Sequence, residues 1–453
     1  MKTPNTISVI ILLLIMAGCG GRNNQSTDSS GTVDVIANNA ETQPTIQDAM
    51  DREEDLLDAN DTILNQSFVQ EIIRENHDDI ITVDVRRSYL VDKKELILQD
   101  FVDVEYIALE TNDDFLNQGV VMDIGKEIIA VKNQVNDGNI YIYDRHGKAL
   151  RKINHKGQGP GEYTFVSNIV LDEDNGEIFV YDHHLRKFFA YDLYGKFKRS
   201  LNHKVDTLSR KSNDRIILSF SFYTEIFNYD NNNLICYDRY YGVEFDLISK
   251  QDGSIAKTIK IPVKEKKELR QVLGDEENHR YLSISHPQYS ITPYSGNWIL
   301  LELSSDTVYT LMPDCSLRPL IVRTPSVQSM EPEVMLLLRL VSNRYYFMET
   351  VRNEWNFNTN TGFTQTFFMY DKQEKAFSGY IVYNGDFSIK KELFMVGFTP
   401  VNHREIVSCY PLQAFRLVES YQKGELKDGR LKEIAAKLDP EDNPVIMLVK
   451  HKK

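Results

Sequence analysis

Cysteine is scarce in this chain, with four residues in 453 and no CxxC pair. That excludes a zinc ribbon, a thioredoxin-type redox motif and a small disulfide-stapled scaffold. Basic residues are outnumbered, 52 Lys and Arg against 66 Asp and Glu, for a formal net charge of −14. A nucleic-acid binder needs a basic face to meet phosphates, so nucleic acid is set aside as a partner. The linear catalytic signatures are missing as well: no GxSxG elbow, no HExxH and no GxxxxGK[ST] phosphate loop. What is present is apolar and aromatic, 42% hydrophobic with 24 Tyr and 22 Phe beside 2 Trp. That composition supports a large core rather than a disordered chain.

Met1 and Lys2 lead into an apolar run from Ile7 to Ala17, ISVIILLLIMA. It is too short for the roughly 20 residues that span a bilayer. A basic start, a short apolar stretch and small residues before a cut site are the layout of a secretory signal. Met16-Ala17-Gly18-Cys19 resembles the bacterial lipobox, whose cysteine is diacylated and becomes the new N-terminus, with Met16 where most members carry Leu. The expectation is a signal peptide over 1–18, lipidation of Cys19, and a mature chain tethered to the membrane through that lipid only. Gly-Gly-Arg-Asn-Asn follows Cys19 without an early acidic cluster, which favours the periplasmic side of the envelope over the cell surface.

From Asn23 to Asp84 there are 15 acidic residues, offset only by Arg52 and Arg74, a net of −13, whereas residues 85–453 carry −3. Nearly all the charge imbalance therefore lies in a leader over 19–84. It reads as a self-repelling spacer, with an acidic arm for a basic partner as the other reading. Between Gln47 and Glu75, Leu56, Leu57, Ile63, Leu64, Phe68, Ile72 and Ile73 fall near helical spacing, so one or two short helices are expected there.

The texture changes near residue 100 to short β-rich runs between Asn, Asp and Gly turns. Tyr143-Asp144-Arg145-His146-Gly147-Lys148 recurs as Tyr191-Asp192-Leu193-Tyr194-Gly195-Lys196, a period of 48 residues. Taking Gly147, Gly195, Gly253, Cys315 and Lys375 as equivalent gives further spacings of 58, 62 and 60. Those lengths suit four-stranded propeller blades. A sixth unit assembles from EIVSCY (405–410), VIMLVK (445–450) and the early VEYIAL (104–109). The fold expected for 85–453 is an all-β, six-bladed propeller closed by strands from both chain ends, which removes exposed sheet edges. Leu431, Ile434, Ala435 and Leu438 space a short amphipathic helix, stopped by Asp439-Pro440.

Lys156-Gly157-Gln158-Gly159-Pro160-Gly161-Glu162-Tyr163 follows the first unit. It resembles the GQGPGEY signature of the six-bladed β-propeller lipoproteins abundant in Bacteroidetes, relatives of the NHL-repeat propellers. Tyr106-Ile107-Ala108-Leu109-Glu110-Thr111 and Asp442-Asn443-Pro444-Val445-Ile446 also match that family's habits. The resemblance covers about 350 residues and implies fold and anchoring. It brings no agreed activity or catalytic residues.

Gln158, Glu162 and Tyr163 are the candidate ligand-binding residues, if that loop projects into the channel mouth; the alternative is a structural connection whose Glu162 caps a neighbouring blade. Asp172 to Glu177 crowds hard oxygens, but position 6 of a calcium loop would be Glu177 instead of Gly and position 12 His183 instead of Glu, so it reads as a hairpin turn. His183 and His184 point to opposite faces if they sit in a strand. His155, His203, His286 and His403 lie near inferred blade junctions where three could converge on a metal. No metal or cofactor is identified by the sequence. Cys236, Cys315 and Cys409 read as buried thiols, and the many Tyr as packing between blades. The function expected is a monomeric, lipid-anchored binding or scaffold module for a glycan, peptide or partner protein. The alternative is an enzyme, an NHL-like lyase or glycan hydrolase, with a site built from loops of several blades.

Overall fold

The computed structural model describes residues 33–36, 80–86, 92–202, 207–212, 215–220, 222–275, 280–403 and 405–452. Four strands precede the first repeat: β1 (Val33–Ile36), β2 (Ile81–Asp84), β3 (Lys93–Ile97) and, after helix α1 (Leu98–Phe101), β4 (Val102–Ala108). Blade 1 is β5 (Val120–Ile124), β6 (Ile128–Lys132), β7 (Asn139–Asp144) and β8 (Ala149–Asn154). Blade 2 is β9 (Asn168–Asp172), β10 (Glu177–Asp182), β11 (Lys187–Asp192) and β12 (Phe197–Asn202). A hairpin of β13 (Thr207–Ser212) and β14 (Arg215–Phe220) leads to blade 3. Blade 3 is β15 (Glu225–Asn228), β16 (Asn233–Tyr237), β17 (Glu244–Ser249) and β18 (Ile255–Lys260).

A second hairpin, β19 (Arg270–Asp275) and β20 (Arg280–Ser285), leads to blade 4. Blade 4 is β21 (Ile291–Tyr294), β22 (Asn297–Leu300), β23 (Thr307–Leu311) and β24 (Leu317–Thr324). Blade 5 opens with β25 (Val334–Val341) and β26 (Tyr345–Arg352), carries the small hairpin β27 (Trp355–Asn356) and β28 (Thr361–Gly362), and ends with β29 (Gln365–Asp371) and β30 (Ala376–Tyr383). After β31 (Glu392–Leu393) come β32 (Thr399–Pro400), β33 (Ile406–Leu412), helices α2 (Ala414–Gln422) and α3 (Arg430–Ala435), and β34 (Val445–His451). Blade 6 has the order β32, β33, β34, β4, so the C-terminal strand pairs antiparallel with an N-terminal one and closes the ring. This is the six-bladed propeller the repeats predict. The helical insertion is larger than expected: α3 covers part of the anticipated segment, and α2 precedes it.

The buried apolar side chains fall into six clusters, one for each interface between neighbouring blades. Ile140 and Ile142 of blade 1 meet Ile178 and Val180 of blade 2. At the closure, Ile107 and Ile446 meet Ile129 and Tyr143. Tyr143, Tyr163, Tyr181, Tyr191 and Tyr237 are among the largest fully buried side chains.

The five residues aligned from the sequence share one backbone state: φ is +85° at Gly147, +91° at Gly195, +77° at Gly253, +62° at Cys315 and +49° at Lys375. Each follows an Asp one to four residues earlier in the turn between the third and fourth strands of its blade. Asp144 Oδ1 accepts from the backbone N–H groups of His146 and Lys148 at 2.8 and 2.9 Å, and Asp192 Oδ1 does the same for Tyr194 and Lys196 at 2.9 Å. The chain before the ring is also used. β2 adds in parallel to β24 with Ile81 and Val83 buried, and β3 adds in parallel to β30. Strands described before position 85 thus pair with the body: β1 with β20, and β2 with β24.

Candidate functional site

The innermost strands β5, β9, β15, β21, β25 and β32 surround the axis of the ring. Polar side chains bridge across it. Asn402 Nδ2 donates to the Asn228 carbonyl, joining blade 6 to blade 3. Tyr289 OH and Thr399 Oγ1 lie 3.2 Å apart, joining the entrance of blade 4 to blade 6. Asp123 on β5 accepts from Leu171 N at 2.8 Å, and burial pushes its carboxyl up to about 7. The centre is filled by the protein's own groups at these levels.

Two guanidinium–carboxylate pairs clamp the segment that enters blade 4. Glu225 on β15 accepts from Ser290 N at 2.8 Å and Ile291 N at 3.1 Å, and from Arg239 Nη2 at 3.3 Å; Arg239 also donates to Gln288 O at 3.1 Å. On the other side, Arg339 of β25 and His286 meet Glu349 of β26, with His286 Nε2 2.7 Å from Glu349 Oε1 and Arg339 donating to the same oxygen. Arg339 also donates to Pro287 O at 2.7 Å. Burial lowers the affinity of His286 for a proton and keeps the ring neutral. Burial works against charge on Glu349 too, but the Arg339 guanidinium and the His286 N–H hold its carboxyl below the usual range. His286, Glu349 and Arg339 are 1%, 0% and 5% exposed, so this trio is sealed from solvent. His286 Nδ1, Arg339 Nε and Nη1, and Glu349 Oε2 have no partner among the described residues, a set that ordered water would satisfy.

One end of the ring, where second strands connect to third strands and each blade connects to the next, carries a row of rings. Phe165 packs edge-on against His183 and His184, with ring centres 4.9 and 5.2 Å away. His183 lies 5.2 Å from Phe222, and Phe222 lies 5.8 Å from Tyr240. The Arg270 guanidinium sits 4.9 Å from the Tyr240 ring. His184 is exposed, and Phe165, His183, Phe222 and Tyr241 are half-buried. His183 and His184 do not diverge as strand residues would. They occupy the turn after β10, with ring centres 4.0 Å apart.

The GQGPGEY loop joins β8 to β9 at the same end. Gln158 and Glu162 are exposed and Tyr163 is fully buried. Tyr163 OH donates to Gly138 O at 2.7 Å and accepts from His155 N at 3.0 Å, and its ring packs between blades 1 and 2. Glu162 folds back to accept from Gly159 N at 2.8 Å, capping its own loop and not a neighbouring blade. A side chain at Gly157 would place Cβ 1.9 Å from Glu162 Oε2, so the carboxylate would have to swing aside to admit it. Cys19 lies outside the described residues.

The other sequence candidates separate. His155 Nε2 contacts Gly195 O at 2.7 Å and stacks on Tyr191, His403 Nδ1 accepts from Glu405 N at 3.1 Å, and His203 lies outside the described residues. Among the described residues no three His, Cys, Asp or Glu side chains gather as a metal site. Asp172 and Glu177 serve as ion-pair partners, Asp172 to Lys250 at 2.6 Å and Glu177 to Arg199 at 2.6 and 2.8 Å. Cys236 and Cys409 are buried free thiols; Cys315 is a half-buried one in a turn. Among the described residues no helix is long and apolar enough to cross a membrane.

Residues 80–450 match a family described as a domain of unknown function, DUF4934, and the chain belongs to that family. No curated protein matches it. Among solved structures it is similar to a Bacteroides fragilis protein described as exported, with 16% identity, 83% of this chain and 100% of that one covered, and a TM-score of 0.50. It is also similar to a DUF4221 member from Bacteroides vulgatus (12% identity, 78% and 100% covered, TM-score 0.43) and to virginiamycin B lyase from Staphylococcus aureus (10%, 63% and 94%, 0.31). These likenesses are ones of fold.

Proposed function

We propose that this chain is a lipid-anchored binding or scaffold module of the cell envelope, which holds a glycan, peptide or partner protein on the ring end that carries the aromatic row. The row itself is the observation that carries this reading. Rings contributed by successive blade connections, with Arg270 beside them, offer stacking faces and a cation over a centre already filled by side chains. The sealing of His286 and Glu349 speaks against using that trio on a substrate, so the enzyme reading has less support. Cys19 is the proposed lipid site, with the anchor on the periplasmic side, and the resemblance to NHL-like propellers supports the family's anchoring as the working assumption.

The experiment is a thermal-shift screen of the chain with glycans and peptidoglycan fragments, repeated on His184→Ala and on Tyr241→Ala, whose ring centre lies 6.5 Å from that of Tyr240. A ligand at about 100 times its Kd adds about 2.7 kcal/mol of stability. A shift that both substitutions abolish supports the row as the site; a shift that neither changes sinks it. For the anchor, Cys19→Ala should move the protein from the membrane fraction to the soluble one.

A further inference from the structure

A cavity of about 380 Å³ opens on the outer wall, where blade 6, blade 1 and the helical insertion meet. That is the small end of the roughly 300–1,000 Å³ that ligand pockets occupy. Four consecutive residues of β4, Val104 to Ile107, line it. Side chains alternate across a strand, so four in a row border one cavity only when it runs along the strand's edge. Among the described residues β4 pairs with β34 alone. Every second residue therefore turns its backbone N–H and C=O away from that ladder, toward the cavity.

The acids that line the cavity are already engaged. Glu105 is ion-paired with Lys450, and Asp386 accepts from Tyr106 OH at 2.6 Å and Gln99 Nε2 at 2.9 Å. The bases are not. Arg145 is half-buried, with Nη1 donating to Gly125 O at 2.7 Å, and no carboxylate among the described residues pairs with it. Arg430, at the start of α3, has only Glu433 at 3.6 Å, and both side chains are mostly exposed. Such a surface pair holds weakly. His146 is exposed beside Arg145. Two guanidiniums and an imidazole thus border a cavity whose one carboxylate outside an ion pair is Asp386.

We propose that this cavity binds a small organic anion, a carboxylate or phosphate monoester on a body of monosaccharide size. Arg145 and Arg430 take the anionic group, which a guanidinium meets with paired N–H donors. Val104, Ile107 and Leu431 face the carbon skeleton. Arg145 and His146 lie in a turn between third and fourth strands, at the opposite end of the ring from the aromatic row, so this is a second site.

Isothermal titration calorimetry of the full chain with glucose 6-phosphate, glucuronate and glucose tests this. It is repeated on Arg145→Gln, Arg430→Gln and, as a control outside the cavity, Lys196→Gln, with circular dichroism to check each fold. At least one of the two anions should bind, and glucose should not. Each arginine substitution should weaken binding about tenfold or more, the loss of one charge-assisted contact, while Lys196→Gln leaves it unchanged. The anion that binds more tightly fixes the head group. Glucose binding as tightly as the anions overturns the proposal, as does anion binding that both arginine variants retain. Failure of both anions to bind more tightly than about 1 mM overturns it as well. So does an equal loss with Lys196→Gln, which would assign the effect to diffuse surface charge.

Discussion

The five turn residues that the repeat aligns show what a single position decides. All have positive φ, yet three are Gly, one is Cys315 and one is Lys375. A side chain in that conformation costs roughly 1 kcal/mol, and Lys375 is exposed, so it loses no packing when trimmed. Lys375→Gly should therefore raise stability by up to about 1 kcal/mol in a denaturant titration. Gly147→Ala should do the reverse, by about 2–4 kcal/mol, because its Cβ would meet the Ala108 carbonyl oxygen at 2.1 Å. A second residue-scale test concerns Asp123. Its folded carboxyl titrates near 7 and its unfolded one near 3.8, so the folded state alone keeps the proton between those values. Stability from this group is present below about pH 4 and is lost as pH rises toward 7. His286 has the opposite sign: its pKa is lowered on folding, so its contribution is lost as pH falls through the ordinary histidine range. Melting temperature against pH for the wild type and Asp123→Asn isolates the first effect, with the wild type losing ground to the variant from pH 4 to 7. Parallel curves would show that Asp123 does not titrate there. Neither group was legible from spacing, since Arg339 reaches a histidine 53 positions away. The signal available was local: one buried charge in each of two apolar strands, Arg339 in VMLLLRLV and Glu349 in YYFMETVR.

At the scale of elements, the blades were readable because each repeats the same turn chemistry, with an Asp accepting backbone N–H groups and a residue in the left-handed region. The outer wall was not, because a parallel strand added from a distant segment leaves no periodic trace. Ile81 and Val83 alternate with polar residues over only four positions, inside a leader whose composition reads as spacer. The structure makes them the fifth strand of blade 4, packed on Ile321 and Val308. A chain shortened to begin at residue 85 should therefore be less stable than one beginning at 80, by about 2–4 kcal/mol for the two buried aliphatic side chains. It should also aggregate more readily, because β24 then presents an unpaired edge. Chemical denaturation with light scattering on both lengths reads the difference. Equal midpoints would mean that β2 adds no net stability.

For the whole molecule, the division of the core into six interface clusters makes stability a property of closure. Each blade buries its two faces against neighbours, so no blade owns a complete core. In an open array the end units fray, having one neighbour each. Here the unit at the chain ends is blade 6, and its interface with blade 1 is as dry as the others, with Ile446 and Leu448 at 0% exposure. Among the described residues β4 has one partner strand, β34, so the ladder that closes blade 6 with an N-terminal strand runs through Val445–His451. Removing residues 445–453 deletes that strand and, with it, the only ladder that holds β4 among the described residues. It opens two clusters at once, because Val445, Met447 and Val449 face blade 5 while Ile446 and Leu448 face blade 1. At about 2–5 kcal/mol for each large core side chain lost, the sum is on the scale of the whole 5–15 kcal/mol that sustains a typical fold. The shortened chain should show no cooperative melting transition in calorimetry. Leu448→Ala should instead keep one transition and lower it, to the same degree as Ile178→Ala at the blade 1–2 interface, far from either chain end. A shortened chain that still melts in one sharp step would mean that five blades and an open seam suffice, and that the ring's stability does not reside in its closure.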